Sequence, residues 1–191
     1  MVRDAQFPSD PFWDYSLAIY AKPGVAAAGI ALQDQYGLDV NLLLACLWYA
    51  AEGPGRLESE HIRECLNRTR DWQQKVVKPL RKVRRFCKQE PTVVPQELRQ
   101  MFRPGLQAIE LDAEHVEQLV LSATLRPFMN QGANQGGAGT QREPGTDAIQ
   151  NLLAYIALQG VTLDARVAAR LREIVAAAFP DADLSALTSP A

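Results

Sequence analysis

The run LLLACLWYAA, residues 42–51, is apolar on every side of any helix it could form. Ten residues are too few to cross a bilayer as a helix, which needs about twenty. Asp39, an acid able to cap a helix, stands just before the run, and Gly53-Pro54-Gly55 follows it. The expected element is therefore a helix with no solvent face. Such a helix has to be central, with other elements packed round it.

The rest of the chain supplies helices to surround it. Ser9 or Asp10 can cap a first helix with Pro11 in its first turn, and Phe12, Tyr15, Ile19 and Tyr20 give it an apolar stripe. AKPGVAAAGIALQDQYG restarts at Pro23 and runs to Gly37, a good residue just past a helix end. Its alanines and Gly29 would allow a neighbour to approach closely. Ser59 can cap a long fourth segment that reaches Lys88. Its expected inner stripe is Ile62, Cys65, Leu66, Trp72, Val76, Leu80, Val83 and Cys87. Pro79 removes one helix hydrogen bond from that pattern and crowds the turn at Lys75, so a kink or break is expected near Lys78.

Beyond the linker bracketed by Pro91 and Pro95, Gln96 opens a helical stretch that Pro104-Gly105 should interrupt. Helix resumes from Leu106 to Phe128, with Ile109, Val116, Leu119, Val120 and Ala123 as its buried stripe. Residues 130–145 hold no apolar residue larger than alanine and read as a mobile loop. Two short helices, about Asp147 to Gln159 and Leu163 to Phe179, close the chain, with Asp164 in the first turn of the second. β-branched alternation nowhere lasts long enough for a sheet. The expected class is all-α: one compact domain, residues 1–191, of about seven helices.

Charge is distributed unevenly. Residues 68–88 hold nine of the 20 Lys and Arg and only Asp71 of the 22 acids, a balance of +8. The remainder, 11 basic against 21 acidic residues, is −10. KVVKPLRKVRRFCK, at the end of the basic segment, brings Lys75, Lys78, Arg81, Lys82, Arg84 and Arg85 together. Like charges at helical spacing repel one another, and arginine forks suit phosphate and carboxylate. These six residues are the candidate site for an anionic partner. The competing reading is a solvated helix face paired with the acids of the remainder.

Other chemistry is sparse. Glu58-x-x-His61 and Asp112-x-x-His115 lie near helix starts, where capping explains the acids, and no metal or other cofactor is expected. The glycines at 132, 136, 137 and 139 lack the Lys-Ser/Thr of a phosphate loop. Cys46, Cys65 and Cys87 are widely spaced, and each falls on an apolar helical position, as reduced core cysteines of a cytoplasmic protein would. MVRDAQFPSDPFWDYS has no apolar h-region, so neither a signal peptide nor a membrane span is expected. Trp13, Trp48 and Trp72 read as core anchors, with Trp13 also suited to a partner.

FPSDPFWDYSLAIYAKPGVAAAGIALQDQYGLDVNLLLACLWYA resembles an uncharacterised proteobacterial family known only as a domain of unknown function. DWQQKVVKPLRKVRRFCK is similar to that family's second signature. FWDYSLAIYAKPGV and KPLRKVRR are its most specific strings, and the likeness covers roughly Phe7 to Leu121. It implies a bacterial, soluble, helical protein and carries no activity or ligand.

Two functions follow from the residues. The first is a non-enzymatic binding or adaptor protein that meets an acidic protein or a nucleic acid through the basic helix. No RNA-binding motif and no exposed aromatic platform is evident, which weighs against nucleic acid. The second is an enzyme or small-molecule binder with a pocket between helices, using Arg84 or Arg85 near Trp72. A closed core with an open basic face would favour the first. A deep pocket that draws in Trp13, Asp39 and Arg84 would favour the second.

Overall fold

A computed structural model describes residues 7–88, 93–133 and 143–188. All its regular elements are helical: α1 Pro11–Tyr20, α2 Val25–Tyr36, α3 Val40–Glu52, α4 Ser59–Trp72, a π-helical segment Gln73–Val77, α5 Lys78–Lys88, α6 Gln96–Ala133, α7 Pro144–Leu158 and α8 Ala165–Ala178. α4, the π segment and α5 form one continuous run, so the described residues make seven helical rods. The all-α class is as the periodicity predicts.

The local chemistry sets most boundaries. Asp10 accepts the Phe12 amide at 2.9 Å, with Pro11 in the first turn. Asp39 accepts the Asn41 amide at 2.9 Å, and Asp164 accepts those of Arg166 and Val167. Gly37 closes α2 at φ 71°, a left-handed position that costs glycine little. α4 starts one residue earlier than expected: Ser59, the expected cap, is its first residue, and Glu58 holds the cap position without a side-chain capping bond.

α3 is the central rod. Asn41 through Ala50 are all buried, and α1, α2, α6 and α7 pack round it. One buried cluster joins α3 to residues of α1, α2, α4, α6, α7 and α8. Asn151, fully buried on α7, fixes the turn after α3. It donates to the carbonyls of Cys46 and Gly55 and accepts the Leu57 amide at 2.7 Å.

Three expectations need correction. First, of the kink or break expected near Lys78, no break occurs: the helical run continues through Pro79. The Lys78 amide bonds to the carbonyl of Gln73, five residues back, and the helix absorbs one extra residue just before the proline. Second, Pro104-Gly105 does not interrupt α6, which runs for 38 residues with Pro104 and Pro127 inside it. Both prolines lie on its outer side, as do Gln100 and Ala123, whose carbonyls lose the proline N–H and can turn to water. Third, the loop expected at 130–145 is overturned at its two ends. Residues 130–133 belong to α6 and 144–145 to α7, while 134–142 lie outside the described residues.

Among the described residues no single helix is long and apolar enough to cross a membrane, and α1 and α2 meet at 99°.

Candidate functional site

The extra residue in the π segment decides which side chains α5 presents. Each helical residue turns about 100°, so one inserted residue rotates everything after it by that amount. An unbroken α-helix would carry the stripe through Trp72, Val76, Leu80 and Val83. The inward positions are instead Gln73, Val77, Arg81 and Arg84, each one residue later. Gln73 and Val77 are buried, Val83 is 44% exposed, and α5 has no fully buried residue.

α6 shows the matching shift. Ile109 is 53% exposed, and the helix buries Leu106, Glu110, Ala113, Glu117, Gln118, Leu121 and Leu125 instead. Its inner face is partly acidic, and that is what receives the arginines. Arg81 donates to Glu110 at 3.2 Å and to Glu114 at 2.6 Å. Arg84 donates twice to Glu110, through Nε and, at 3.1 Å, through Nη2. The Arg81 side chain is only 13% exposed and that of Glu110 6%.

Deeper in the same seam lies a carboxyl pair. Glu117 is fully buried, and its Oε2 accepts Asn41 Nδ2 at 2.8 Å and Gln73 Nε2 at 2.9 Å. Gln118 Nε2 closes the network on Asn41 Oδ1 at 2.8 Å. Burial, with the repulsion of Asp39 added, pushes the Glu117 carboxyl up to about 9. At neutral pH it therefore carries a proton. Glu117 Oε1 has no hydrogen-bond partner among the described residues, and the Asp39 carboxyl is close enough to repel its charged form. The consistent arrangement is a protonated Glu117 beside the Asp39 carboxylate, which also caps α3.

The six predicted residues are thus divided among four environments. Lys75 is exposed and pairs with Asp71 at 2.6 Å. Arg84 turns with Arg81 toward α6. Arg85 pairs with Asp34 on α2. Lys78 and Lys82 are exposed and have no ion-pair partner among the described residues. Lys78, Arg81, Lys82 and Arg85 line one cleft of about 890 Å³ between the C-terminal end of α2, α4, the π segment, α5 and α7. Arg63 and Arg70 join them, against only two carboxylates, Asp34 and Asp39. Phe86 also lines this cleft and is 60% exposed. The absence of an exposed aromatic, expected from the sequence, is therefore corrected: the rotated face carries the ring outward.

Beside it, sharing Asp39 and Arg81 as a wall, a second cavity of about 340 Å³ is lined by residues of α1, α2, α3, α5 and α6. It draws in Trp13, Asp39 and Arg84 together. The combination of Arg84 or Arg85 with Trp72 does not form. Arg84 lines the small cavity and Arg85 the large cleft, and Trp72 donates its indole N–H to the Ala113 carbonyl at 2.8 Å and lines neither.

The histidines sit in ring stacks, His61 on Phe128 and His115 on Trp13, each at 3.9 Å. No group of three or more potential metal ligands occurs among the described residues. Cys46 and Cys65 are buried free thiols, and burial pushes Cys65 up to about 12.

No curated protein and no solved structure matches the chain. The profile of one family matches residues 11–121, more than half of the 191, and that span holds both cavities' α1–α6 walls. The chain belongs to the family described as "Protein of unknown function (DUF2390)".

Proposed function

We propose that this chain is a non-enzymatic binding protein of the bacterial cytoplasm that holds an anionic partner in the basic cleft. The observation that carries the reading is the division of the basic helix. Arg81 and Arg84 are spent on α6 acids, which leaves Lys78 and Lys82 without an ion-pair partner among the described residues, at a cleft lined by six cationic side chains and two carboxylates of those residues. Unpaired cations around a concavity raise the local concentration of anions. The free cysteines support a reducing compartment.

Of the two partner classes, acidic protein and nucleic acid, Phe86 favours single-stranded nucleic acid. An exposed ring beside Lys82 and Arg85 offers a stacking face next to phosphate-binding charges. Fluorescence anisotropy of a labelled single-stranded RNA tests this. Affinity should fall with salt at a log–log slope of about −0.7 per phosphate contact. Phe86→Ala should weaken it by about 1–3 kcal/mol. Salt-independent binding, or binding of an acidic peptide with no RNA binding at all, would contradict the nucleic-acid reading.

A small-molecule reading also has an observation in its favour, the cavity that gathers Trp13, Asp39 and Arg84.

A further inference from the structure

The smaller cavity has the make-up of a ligand site in its own right. Its volume of about 340 Å³ lies within the range of small-molecule pockets. Its walls are apolar: Trp13 and Leu17 from α1, Ile30 from α2 and Leu111 from α6. Leu17, Ile30 and Leu111 are each about half exposed, so the mouth is apolar as well. Trp13 is held from behind by His115, whose ring is parallel to it within 6°. Burial lowers the His115 pKa, which favours a neutral ring there.

The polar floor selects the ligand's charge. Asp39, Glu110 and Glu114 meet Arg81 and Arg84, and both arginines are already bonded to the two glutamates. An incoming carboxylate would find no unpaired arginine and an excess of negative charge. An incoming ammonium would find that excess attractive, together with the spare oxygen of Glu114. Two side chains at least nine-tenths buried line the cavity and have a polar atom without a partner among the described residues, Ser16 Oγ and Gln118 Oε1. The Gln118 oxygen can only accept, so it calls for a donor. Trp13 and Tyr20 add ring faces that attract a cation.

We infer that this cavity is a binding site for a small amphipathic amine, with the ammonium group on the Glu114–Gln118 floor and an apolar or aromatic body between Trp13, Ile30 and Leu111. The site shares Gln33, Asp39 and Arg81 with the wall of the cleft, but the inference does not rest on the anion-binding reading.

Ligand-observed NMR titration of the full chain tests the inference with two amines, tryptamine and 2-phenylethylamine, and their matched acids, indole-3-propionate and 3-phenylpropionate. Each amine should saturate with a dissociation constant of about a millimolar or below, the range open to a fragment of about a dozen heavy atoms. The acids should bind at least about tenfold more weakly. Leu111→Trp and Ile30→Trp fill the cavity from opposite walls at half-exposed positions. Each should weaken amine binding by about tenfold or more while the melting temperature holds. Acids that bind as well as the amines, amine binding that survives both tryptophan variants, or failure of both amines to saturate would each overturn it. An RNA titration of the same tryptophan variants should be unchanged, which keeps this result apart from the fate of the cleft.

Discussion

Glu117 is a residue whose chemistry departs far from its type. The unfolded chain releases this proton at an ordinary carboxylate pKa near 4.5, whereas the folded chain keeps it to about 9. Between those values the folded state binds the extra proton, so stability falls as pH rises through that window, by up to about 1.4 kcal/mol per pH unit. Glu117→Gln keeps a neutral side chain of the same shape. Melting temperatures measured from pH 5 to about 9 should therefore decline less steeply for the variant than for the parent, with the variant ahead at the alkaline end. Parallel curves would mean that Glu117 is not the proton holder. Arg81 is the counterpart on α5. Arg81→Ala leaves Glu110 and Glu114 short of a partner in a buried seam and should cost about 3–5 kcal/mol in urea unfolding. Neither role was legible from the residue alone. A glutamate on a helix reads as a solvent-facing residue unless its neighbours across the seam, here Asn41, Gln73 and Arg81, are already in place.

At the scale of elements, the sequence made helix existence plain and helix facing obscure. The caps at Asp10 and Asp39 and the end at Gly37 are local chemistry, and each stands where the chain announces it, while Asp164, expected within the first turn of α8, is its cap. The inner faces of α5 and α6 were misplaced for one shared reason. Periodicity assigns apolar residues to the inside, but here arginine faces glutamate inside, and the π segment moves the register by one residue. Pro79 did flag the irregularity, although it is absorbed as an insertion and not as a break. Insertion of one alanine between Leu80 and Arg81 should rotate Arg81 and Arg84 by about 100° and swing them off Glu110 and Glu114. The melting temperature should then drop by about 10 °C or more, since breaking a buried pair costs about 3–5 kcal/mol. An unchanged melting temperature would show that the register carries no stability. Gly145 makes a second test of packing, at the start of α7. A Cβ there would lie 2.5 Å from the Ala182 Cβ, so Gly145→Ala should destabilise by about 1–3 kcal/mol in the same assay.

For the whole molecule, the −10 remainder and the +8 segment partly neutralise one another through Asp34, Glu110 and Glu114. Lys78 and Lys82, without an ion-pair partner among the described residues, line the cleft. Composition alone could not separate the structural arginines from the available lysines, because both lie on one short helix and only the register tells them apart. Two charge reversals on the same protein put this division to the test, each read by melting temperature and by RNA anisotropy. Lys78→Glu with Lys82→Glu should leave the melting temperature within about 4 °C of the parent and abolish binding. Arg81→Glu with Arg84→Glu should unfold the chain or lower its melting temperature by about 10 °C or more. A lysine pair that binds RNA as the parent does, or an arginine pair that melts as the parent does, would contradict the account.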